Sequence, residues 1–217
     1  MAIHGSNNAP ETTRQQLIEL GTDHIALVGD VADAEVCARL VEQTVNHFGT
    51  IDILVNNAGI IRRAPAVEHS EEDWKAVIDV DLLSVFRLMK LAGRPMLERG
   101  SGKIINIASL LTFQGGILVP SYAAAKGGVG QLTKAFANEW AARGVNVNAI
   151  APGYMATDNT EALQKNPERA RQIMERIPAA RWGNPEDLAG AAVFLASGAS
   201  DYVHGHILVV DGGWLNR

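Results

Sequence analysis

The sequence contains a single cysteine, Cys37, and few aromatic residues, which make up 6% of its 217 residues. One cysteine cannot form a disulfide within the chain, which excludes a disulfide-stapled scaffold, and we expect Cys37 to be a small buried helix residue. No apolar run reaches the length of a membrane span, and residues 1–6 have neither the basic region nor the apolar core of a signal peptide. We therefore expect a cytoplasmic protein with no membrane partner.

Basic charge is also scarce, with 19 Lys and Arg against 24 Asp and Glu, a net charge of −5 and a pI near 5.7. No basic stripe is available for nucleic acid, so we expect a small-molecule partner. His204 and His206 alternate as metal ligands sometimes do, but two imidazoles without a third ligand do not predict a metal site. The length and the 47% hydrophobic content indicate one domain over residues 1–217.

Short apolar runs alternate with segments of helical apolar spacing. A capping sequence at residues 70–73 precedes a long helix that we expect to break near Val80 and to bend at Pro95. A polar stretch at 153–178 contains at least one more amphipathic helix. The expected strands are residues 24–28, 51–55, 103–108, 145–150 and 206–210, and the expected helices are residues 11–20, 34–48, 71–99, 122–143 and 184–196. Repeated βα units predict a doubly wound α/β fold, with a parallel sheet between two helical layers.

A hydroxyl, a phenol and an amine follow the apolar run at 103–108. Ser109 comes directly after that run, at the strand end where active-site groups of open α/β sheets gather. Tyr122 and Lys126 are four residues apart, so a helix places them on one face with Cβ atoms about 6 Å apart. A nearby cation favours the phenolate of a tyrosine, whose ordinary pKa is about 10, and makes Tyr122 a candidate general acid/base. The alternative for this pair alone is an ordinary surface pair, but Ser109 and the glycines at 115–116 favour a site.

These residues resemble the active site of the short-chain dehydrogenase/reductase family, a serine at a strand end followed by Tyr-x-x-x-Lys on a helix. The spacing from Ser109 to Tyr122 matches that family, and the resemblance covers nearly the whole chain. It implies a Rossmann-like oxidoreductase in which Tyr122 exchanges the hydroxyl proton, Ser109 orients the oxygen and Lys126 holds the cofactor ribose. Four further motifs occur in the family's order: Asn-Asn-Ala-Gly at 56–59, Asn-Val-Asn at 146–148, Pro-Gly at 152–153 and Asp-Gly-Gly at 211–213.

The resemblance also implies a set of cofactor-binding residues. Asp30 matches an aspartate that accepts a hydrogen bond from the adenine amine, and a helix N-cap is an alternative role compatible with that one. The sequence Gly-Ser-Asn at 5–7 offers neither an acid for a ribose diol nor an arginine for a 2′-phosphate, so NAD or NADP is expected, with NAD preferred by resemblance. The implied set is Asp30, Val31, Asn57, Ala58, Gly59, Tyr122, Lys126, Pro152, Gly153, Met155 and Thr157, with Asn148 placed at the same strand end as Pro152.

The Gly-rich turn that holds a dinucleotide pyrophosphate in this family does not occur in the sequence. Residues 2–5 resemble the second strand of the family, so the first βα unit, of roughly 35 residues, is expected to be absent. One interpretation is a truncated or mis-started chain of an active oxidoreductase. The other is a natural short form, a non-catalytic subunit or scaffold with impaired cofactor binding.

Asp81 is a second departure from the family pattern, because an asparagine that relays protons to the lysine normally lies five residues before the phenylalanine that corresponds to Phe86. We include Asp81 among the expected catalytic residues. An ionised carboxylate about 6 Å from Lys126 would interact with it by about 3 kcal/mol at an effective dielectric near 20. Its charge would also oppose the phenolate, so we expect the acid limb of the rate profile to lie higher than in asparagine-bearing relatives.

Three other stretches, 59–63, 113–120 and 152–160 with 176–183, resemble the branch of the family that acts on sugar acids such as 2-deoxy-D-gluconate. Arg62 and Arg63 would bind the carboxylate, and Gln114 would bind hydroxyl groups beside Ser109 and Tyr122. The alternative is that the two arginines form a solvated loop or bind a cofactor phosphate. Relatives are commonly tetramers, so a homotetramer is expected, with Asp-Gly-Gly at 211–213 shaping a C-terminal turn and a subunit contact.

Overall fold

All six strands are parallel, and the computed structural model describes residues 1–217. The strands are Ala2–Gly5 (β1), Ile25–Val28 (β2), Ile53–Asn56 (β3), Gly102–Ile107 (β4), Val145–Pro152 (β5) and Ile207–Val210 (β6). The helices are Glu11–Glu19 (α1), Ala34–Phe48 (α2), Glu71–Ile78 (α3), Ser84–Arg99 (α4), Pro120–Trp140 (α5), Glu161–Gln164 (α6), Pro167–Arg176 (α7) and Ala189–Ala196 (α8). This alternation confirms the predicted α/β fold.

The strands form two sheets that are not hydrogen-bonded to each other. β1 pairs with β2, and the larger sheet has the order β3-β4-β5-β6. β3 therefore forms one edge of the larger sheet, where Ile53 and Val55 are 46% and 49% exposed. In both sheets the parallel direction brings the carboxyl ends of paired strands to one edge, and the loops that carry the candidate site begin there.

The larger sheet is covered by helices on both faces. β5 is buried from Val145 to Ala151, including Asn146 and Asn148, as expected for a central parallel strand that is covered on both faces. Val147 packs with Met89 of α4 and Trp140 of α5 in the largest core cluster. On the opposite face, Ile150 packs with Leu195 of α8. Val147 and Ile150 thus point to opposite faces of the sheet, as the two-residue period of a strand requires.

The long helix predicted at 71–99 is interrupted by a π-helical segment, Asp79–Leu83, between α3 and α4. This confirms the expected break near Val80. Ser70 begins α3 by accepting a hydrogen bond from the backbone N–H of Asp73 at 3.1 Å. A single turn of π-helix commonly marks a functional position, and this one contains the buried Asp81.

No helix combines the length and apolar character needed to cross a bilayer. The chain also contains no group of three His, Cys, Asp or Glu side chains placed to hold a metal ion.

Candidate active site

Ser109 and the helix that carries Tyr122 and Lys126 meet at the carboxyl end of β4. The Ser109 hydroxyl accepts a hydrogen bond from the backbone N–H of Leu111 at 3.2 Å and so begins a short 3-10 turn. In the same turn, the hydroxyl of Thr112 donates to the backbone oxygen of Lys126 at 2.9 Å. The serine turn and α5 are therefore fixed to each other by a side-chain contact that sequence reasoning missed.

Lys126 lies beside the phenol ring that the spacing predicted as its neighbour. Its Nζ is 5.5 Å from the centroid of the Tyr122 ring, and its side chain is buried. The ammonium donates a hydrogen bond to the backbone oxygen of Ile107 at 2.9 Å. A half-buried phenol and a buried cation thus lie one helical turn apart, next to the strand end that leads to Ser109.

Asp81 is wholly buried, and it lies closer to Lys126 than the expected 6 Å. Its Oδ2 is 3.4 Å from Lys126 Nζ, and its Oδ1 accepts a hydrogen bond from the backbone N–H of Ile60 at 2.8 Å. Burial raises the pKa of Asp81 because it removes the carboxylate from water, while Lys126 and the Ile60 N–H act in the opposite direction. The carboxyl joins the loop after β3, the π-helical segment and α5.

The loop after β3 covers this ion pair. A Cβ atom at Gly59 would lie 2.9 Å from Asp81 Oδ2 and 3.5 Å from Lys126 Nζ, so the glycine allows the loop backbone to approach the pair. Ala58 packs beside the small cluster that contains Cys37, and Asn57 is exposed. Of the predicted residues in this loop, Asn57 has a side chain that is available to a ligand, and Gly59 can offer only its backbone.

The residues after β2 divide into one exposed and one buried position. Asp30 is exposed, and its carboxylate accepts only the nearby N–H of Ala32 at 3.0 Å. The alternative role of Asp30 as an N-cap was wrong, because Asp33 begins α2 and accepts from Glu35 N–H at 2.8 Å. The side chain of Val31 is 4% exposed and packs with Cys37, so only the backbone of Val31 can face a ligand.

At the end of β5, Gly153 allows a close approach between two loops. A Cβ atom there would lie 2.6 Å from the Cα of Asp211, and Pro152 directly precedes it as the last residue of the strand. Met155 is buried against Gly183, whereas Thr157 is exposed. Thr157 is therefore the side chain of this segment that is open to a ligand.

The placement of Asn148 at the strand end was wrong. Asn148 lies in the middle of β5 and is 1% exposed. Its amide donates to the backbone oxygen of Val203 at 2.8 Å and accepts from the N–H of His206 at 2.9 Å. These contacts hold the loop before β6 and leave no group of this side chain for a cofactor.

The predicted substrate-binding residues lie on loops that contact one another. Arg62 Nε pairs with Asp73 at 3.2 Å, and Arg63 donates to the backbone oxygen of Asn159 at 2.9 Å. The backbone N–H of Ala64 donates to the oxygen of Leu118 at 3.0 Å. The loop at 59–64 thus contacts both the segment after Ser109 and the segment after β5.

A nicotinamide cofactor fits some of these groups and not others. Asp30, Asn57 and Thr157 are exposed, and Tyr122 is half-buried. The Gly-rich turn of the family follows its first strand, whereas β1 resembles the second strand, and no turn of that kind occurs in residues 1–217. The residues present therefore suit the adenine and nicotinamide ends of the cofactor but supply no pyrophosphate cradle.

Comparison with known proteins gives a consistent assignment. The sequence model of a family described as enoyl-(acyl carrier protein) reductase matches residues 1–215. The 2-dehydro-3-deoxy-D-gluconate 5-dehydrogenase of Dickeya dadantii is 53% identical over 209 residues, which are 96% of this chain and 83% of the relative. This chain belongs to the short-chain dehydrogenase/reductase family. It is an NAD(P)-dependent dehydrogenase of the class that acts on CH–OH groups.

Two solved structures of the family cover the whole chain. One, from Agrobacterium tumefaciens, is a candidate 2-deoxy-D-gluconate 3-dehydrogenase with bound NADP; it is 53% identical, has a TM-score of 0.90 and is covered over 87% of its length. The other is a gluconate 5-dehydrogenase from Burkholderia cenocepacia in complex with NADP and tartrate, 39% identical with a TM-score of 0.94 and 85% covered. These likenesses confirm the predicted Rossmann-like fold of the family.

Proposed function

We propose that residues 1–217 act as one oxidoreductase domain that transfers a hydride between a nicotinamide cofactor and a secondary alcohol or ketone of a sugar acid. Substrates such as 2-deoxy-D-gluconate and 2-dehydro-3-deoxy-D-gluconate are supported by the names of the relatives at 53% identity. The single observation that carries the proposal is the placement of Tyr122 beside the buried ammonium of Lys126, at the strand end that leads to Ser109.

In this proposal, Tyr122 accepts the proton of the substrate hydroxyl during oxidation and returns it during reduction. The bound nicotinamide supplies the hydride acceptor or donor. Ser109 keeps the substrate oxygen near the phenol, and the Lys126 ammonium favours the phenolate by its charge. Asp81 holds that ammonium through the 3.4 Å contact.

The proposed cofactor contacts are the residues that the family resemblance implies; among their side chains, Asp30, Asn57 and Thr157 are exposed and Met155 is buried. Asp30 would accept from the adenine amine, and the backbones of Val31, Ala58 and Gly59 would line the adenine and ribose. The nicotinamide would lie near Pro152, Gly153, Met155 and Thr157. NAD is preferred by the family resemblance, whereas the solved relatives contain NADP. Titration with NADH and with NADPH, followed by fluorescence, measures this preference directly.

The proposed carboxylate site uses the guanidinium groups of Arg62 and Arg63. Arg62 already pairs with Asp73 and donates to the backbone oxygen of Ile61, Arg63 donates to the backbone oxygen of Asn159, and both side chains are exposed. A planar fork of donors suits a carboxylate, and tartrate in the solved gluconate 5-dehydrogenase is an acid of this kind.

The decisive experiment combines cofactor binding with turnover of 2-deoxy-D-gluconate by the chain and by Tyr122→Phe. Micromolar binding of NADH or NADPH, and oxidation that is lost in Tyr122→Phe, would support the proposal. The second candidate is a non-catalytic subunit, favoured by the lack of a Gly-rich turn in residues 1–217. A folded chain that binds neither nucleotide would support that candidate.

A homotetramer is part of the proposal, supported by apolar side chains exposed on opposite faces of the larger sheet. Val193 and Phe194 of α8 are 68% and 38% exposed, and Phe86 of α4 is 37% exposed. Pairing of each patch with its own copy about a two-fold axis would give a tetramer. Light scattering should give about four times 23.2 kDa, and Phe194→Glu should reduce the assembly to dimers.

A further inference from the structure

The Asp-Gly-Gly motif at 211–213 forms a turn that holds the backbone of Trp214 on both sides. Gly212 and Gly213 have φ angles of +64° and +91°, a region that glycine adopts far more readily than other residues. The Asp211 carboxylate accepts hydrogen bonds from the N–H groups of Gly213 and Leu215, each at 2.8 Å. The motif therefore fixes where the next side chain, that of Trp214, points.

The indole ring of Trp214 is immobilised by its neighbours. It is 4% exposed, with the Arg176 guanidinium 4.1 Å from its centroid and the Tyr154 ring centroid at 4.6 Å. Leu110, which follows Ser109 directly, packs in the same cluster. The one polar atom of the ring, Nε1, donates a hydrogen bond to the side-chain oxygen of Gln114 at 3.4 Å.

This contact fixes the orientation of the Gln114 amide, that is, the positions of its oxygen and its NH₂ group. An indole N–H is only a donor, so it faces the amide oxygen and leaves the NH₂ group pointing elsewhere. The Gln114 NH₂ makes no hydrogen bond within the chain, and the side chain is partly exposed. The backbone N–H of Gln114 donates to Leu110 at 3.2 Å, so the amide follows the same short turn that Ser109 begins.

We propose that Trp214 is a positioning residue for substrate recognition, which holds the Gln114 amide so that its NH₂ donates to a hydroxyl or carboxylate oxygen of the sugar acid. The inference rests on the proposed function, because it needs a substrate oxygen near Ser109. It assigns the C-terminal turn a role in specificity that the Asp-Gly-Gly motif alone does not indicate. Substrates that offer only a hydrogen-bond donor to the Gln114 NH₂ group should bind poorly, because that group is itself a donor.

Kinetics of Trp214→Phe test the positioning role, because this variant keeps an aromatic ring between Arg176 and Tyr154 but removes the N–H. We expect KM for 2-deoxy-D-gluconate to rise about three- to tenfold, the size of one neutral hydrogen bond, with kcat changed less than about twofold. Gln114→Leu should raise KM at least as much, and the double variant should be no worse than Gln114→Leu alone. Trp182→Phe is the matched control, since its indole is in the same aromatic cluster and makes no hydrogen bond.

Additive KM effects, or a lower kcat at unchanged KM, would overturn the positioning role. A second measurement needs no turnover: in a ¹H–¹⁵N spectrum, the indole resonance assigned by its loss in Trp214→Phe should shift in Gln114→Leu. An unmoved resonance would overturn the contact itself. A shifted resonance in a chain that binds NADH but turns over no sugar acid would instead overturn the proposed substrate class, and with it the recognition role of Gln114.

Discussion

The Asp81 carboxylate lies 3.4 Å from the Lys126 ammonium, and the side chains of both residues are almost completely removed from solvent. An asparagine at this position would be neutral, so the aspartate adds a titratable group directly behind the lysine. Its pKa is raised because burial disfavours the charged carboxylate more than Lys126 favours it. The consequences for rate and for stability can be measured separately.

Asp81→Asn should move the acid limb of the pH–rate profile to lower pH. The ionised carboxylate opposes a second negative charge on Tyr122, and the amide removes that opposition. The profile of kcat/KM for sugar-acid oxidation measures the shift. Asp79→Asn is the matched control, because Asp79 lies in the same π-helical segment but pairs with Lys75 at the surface. An acid limb that stays in place in Asp81→Asn would contradict the expectation.

The same substitution should change how stability depends on pH. The pKa of Asp81 is higher in the folded chain than in the unfolded one, so the folded state binds the proton more strongly between the two values. Unfolding free energy therefore falls as pH rises through that window, starting near the ordinary aspartate pKa of about 3.9. Urea denaturation across pH should show that the stability difference, wild type minus Asp81→Asn, decreases with rising pH. An increase would mean that Lys126 outweighs the effect of burial.

Much of the fold and part of the site could be predicted from the sequence. The period of apolar residues predicted α2 at its observed bounds, because burial on one face imposes that period. The break near Val80 was also predicted, but not from that period. The Tyr122–Lys126 pair followed from helix geometry alone. The placement of Asn148 failed because the sequence does not distinguish an asparagine that is buried within a strand from one that lies in a loop.

Other features have no local sequence signal. The contact from Trp214 to Gln114 spans 100 residues, and that from Thr112 to Lys126 joins a turn to a helix, so neither has a period to detect. The sequence also does not predict that β1 and β2 form a sheet separate from the larger one, because the pairing of strands is not encoded in any local period. Such contacts are decided by packing in three dimensions rather than by local propensity.

Replacing Arg63 with glutamine should weaken binding of an acidic substrate far more than binding of a neutral polyol. The guanidinium keeps N–H donors beyond the one that contacts Asn159, and a charge-assisted pair with a carboxylate is worth roughly 1.5–3 kcal/mol, or about 10- to 150-fold in KM. Arg62→Gln should behave alike if both guanidinium groups bind the carboxylate. Equal KM changes for gluconate-type acids and for polyols would exclude the carboxylate role.

Cys37 should resist thiol reagents in the folded chain. It is 0% exposed, its Sγ donates to the backbone oxygen of Val31 at 3.2 Å, and burial raises its pKa, so little thiolate forms near pH 8. Ellman's reagent should detect one thiol in urea and react slowly without it. Rapid reaction of the native chain would show that the segment at Val31 opens readily. Bound NADH should slow the residual reaction, because Val31 lies in the proposed adenine site.

Gly59→Ala should impair the site through contact with the buried pair rather than through loss of fold. The added methyl would lie 2.9 Å from Asp81 Oδ2, and the side chains of both Asp81 and Lys126 are buried. Displacing these groups should lower kcat/KM by about 10- to 100-fold. Gly127→Ala is the control on α5, where a Cβ atom meets nothing within 4 Å, so this variant should keep its activity and gain about 0.5–1 kcal/mol of stability. Wild-type kinetics in Gly59→Ala would mean that the loop after β3 moves to accommodate the methyl group. Turnover would then not require the loop backbone to lie so close to the Asp81–Lys126 pair.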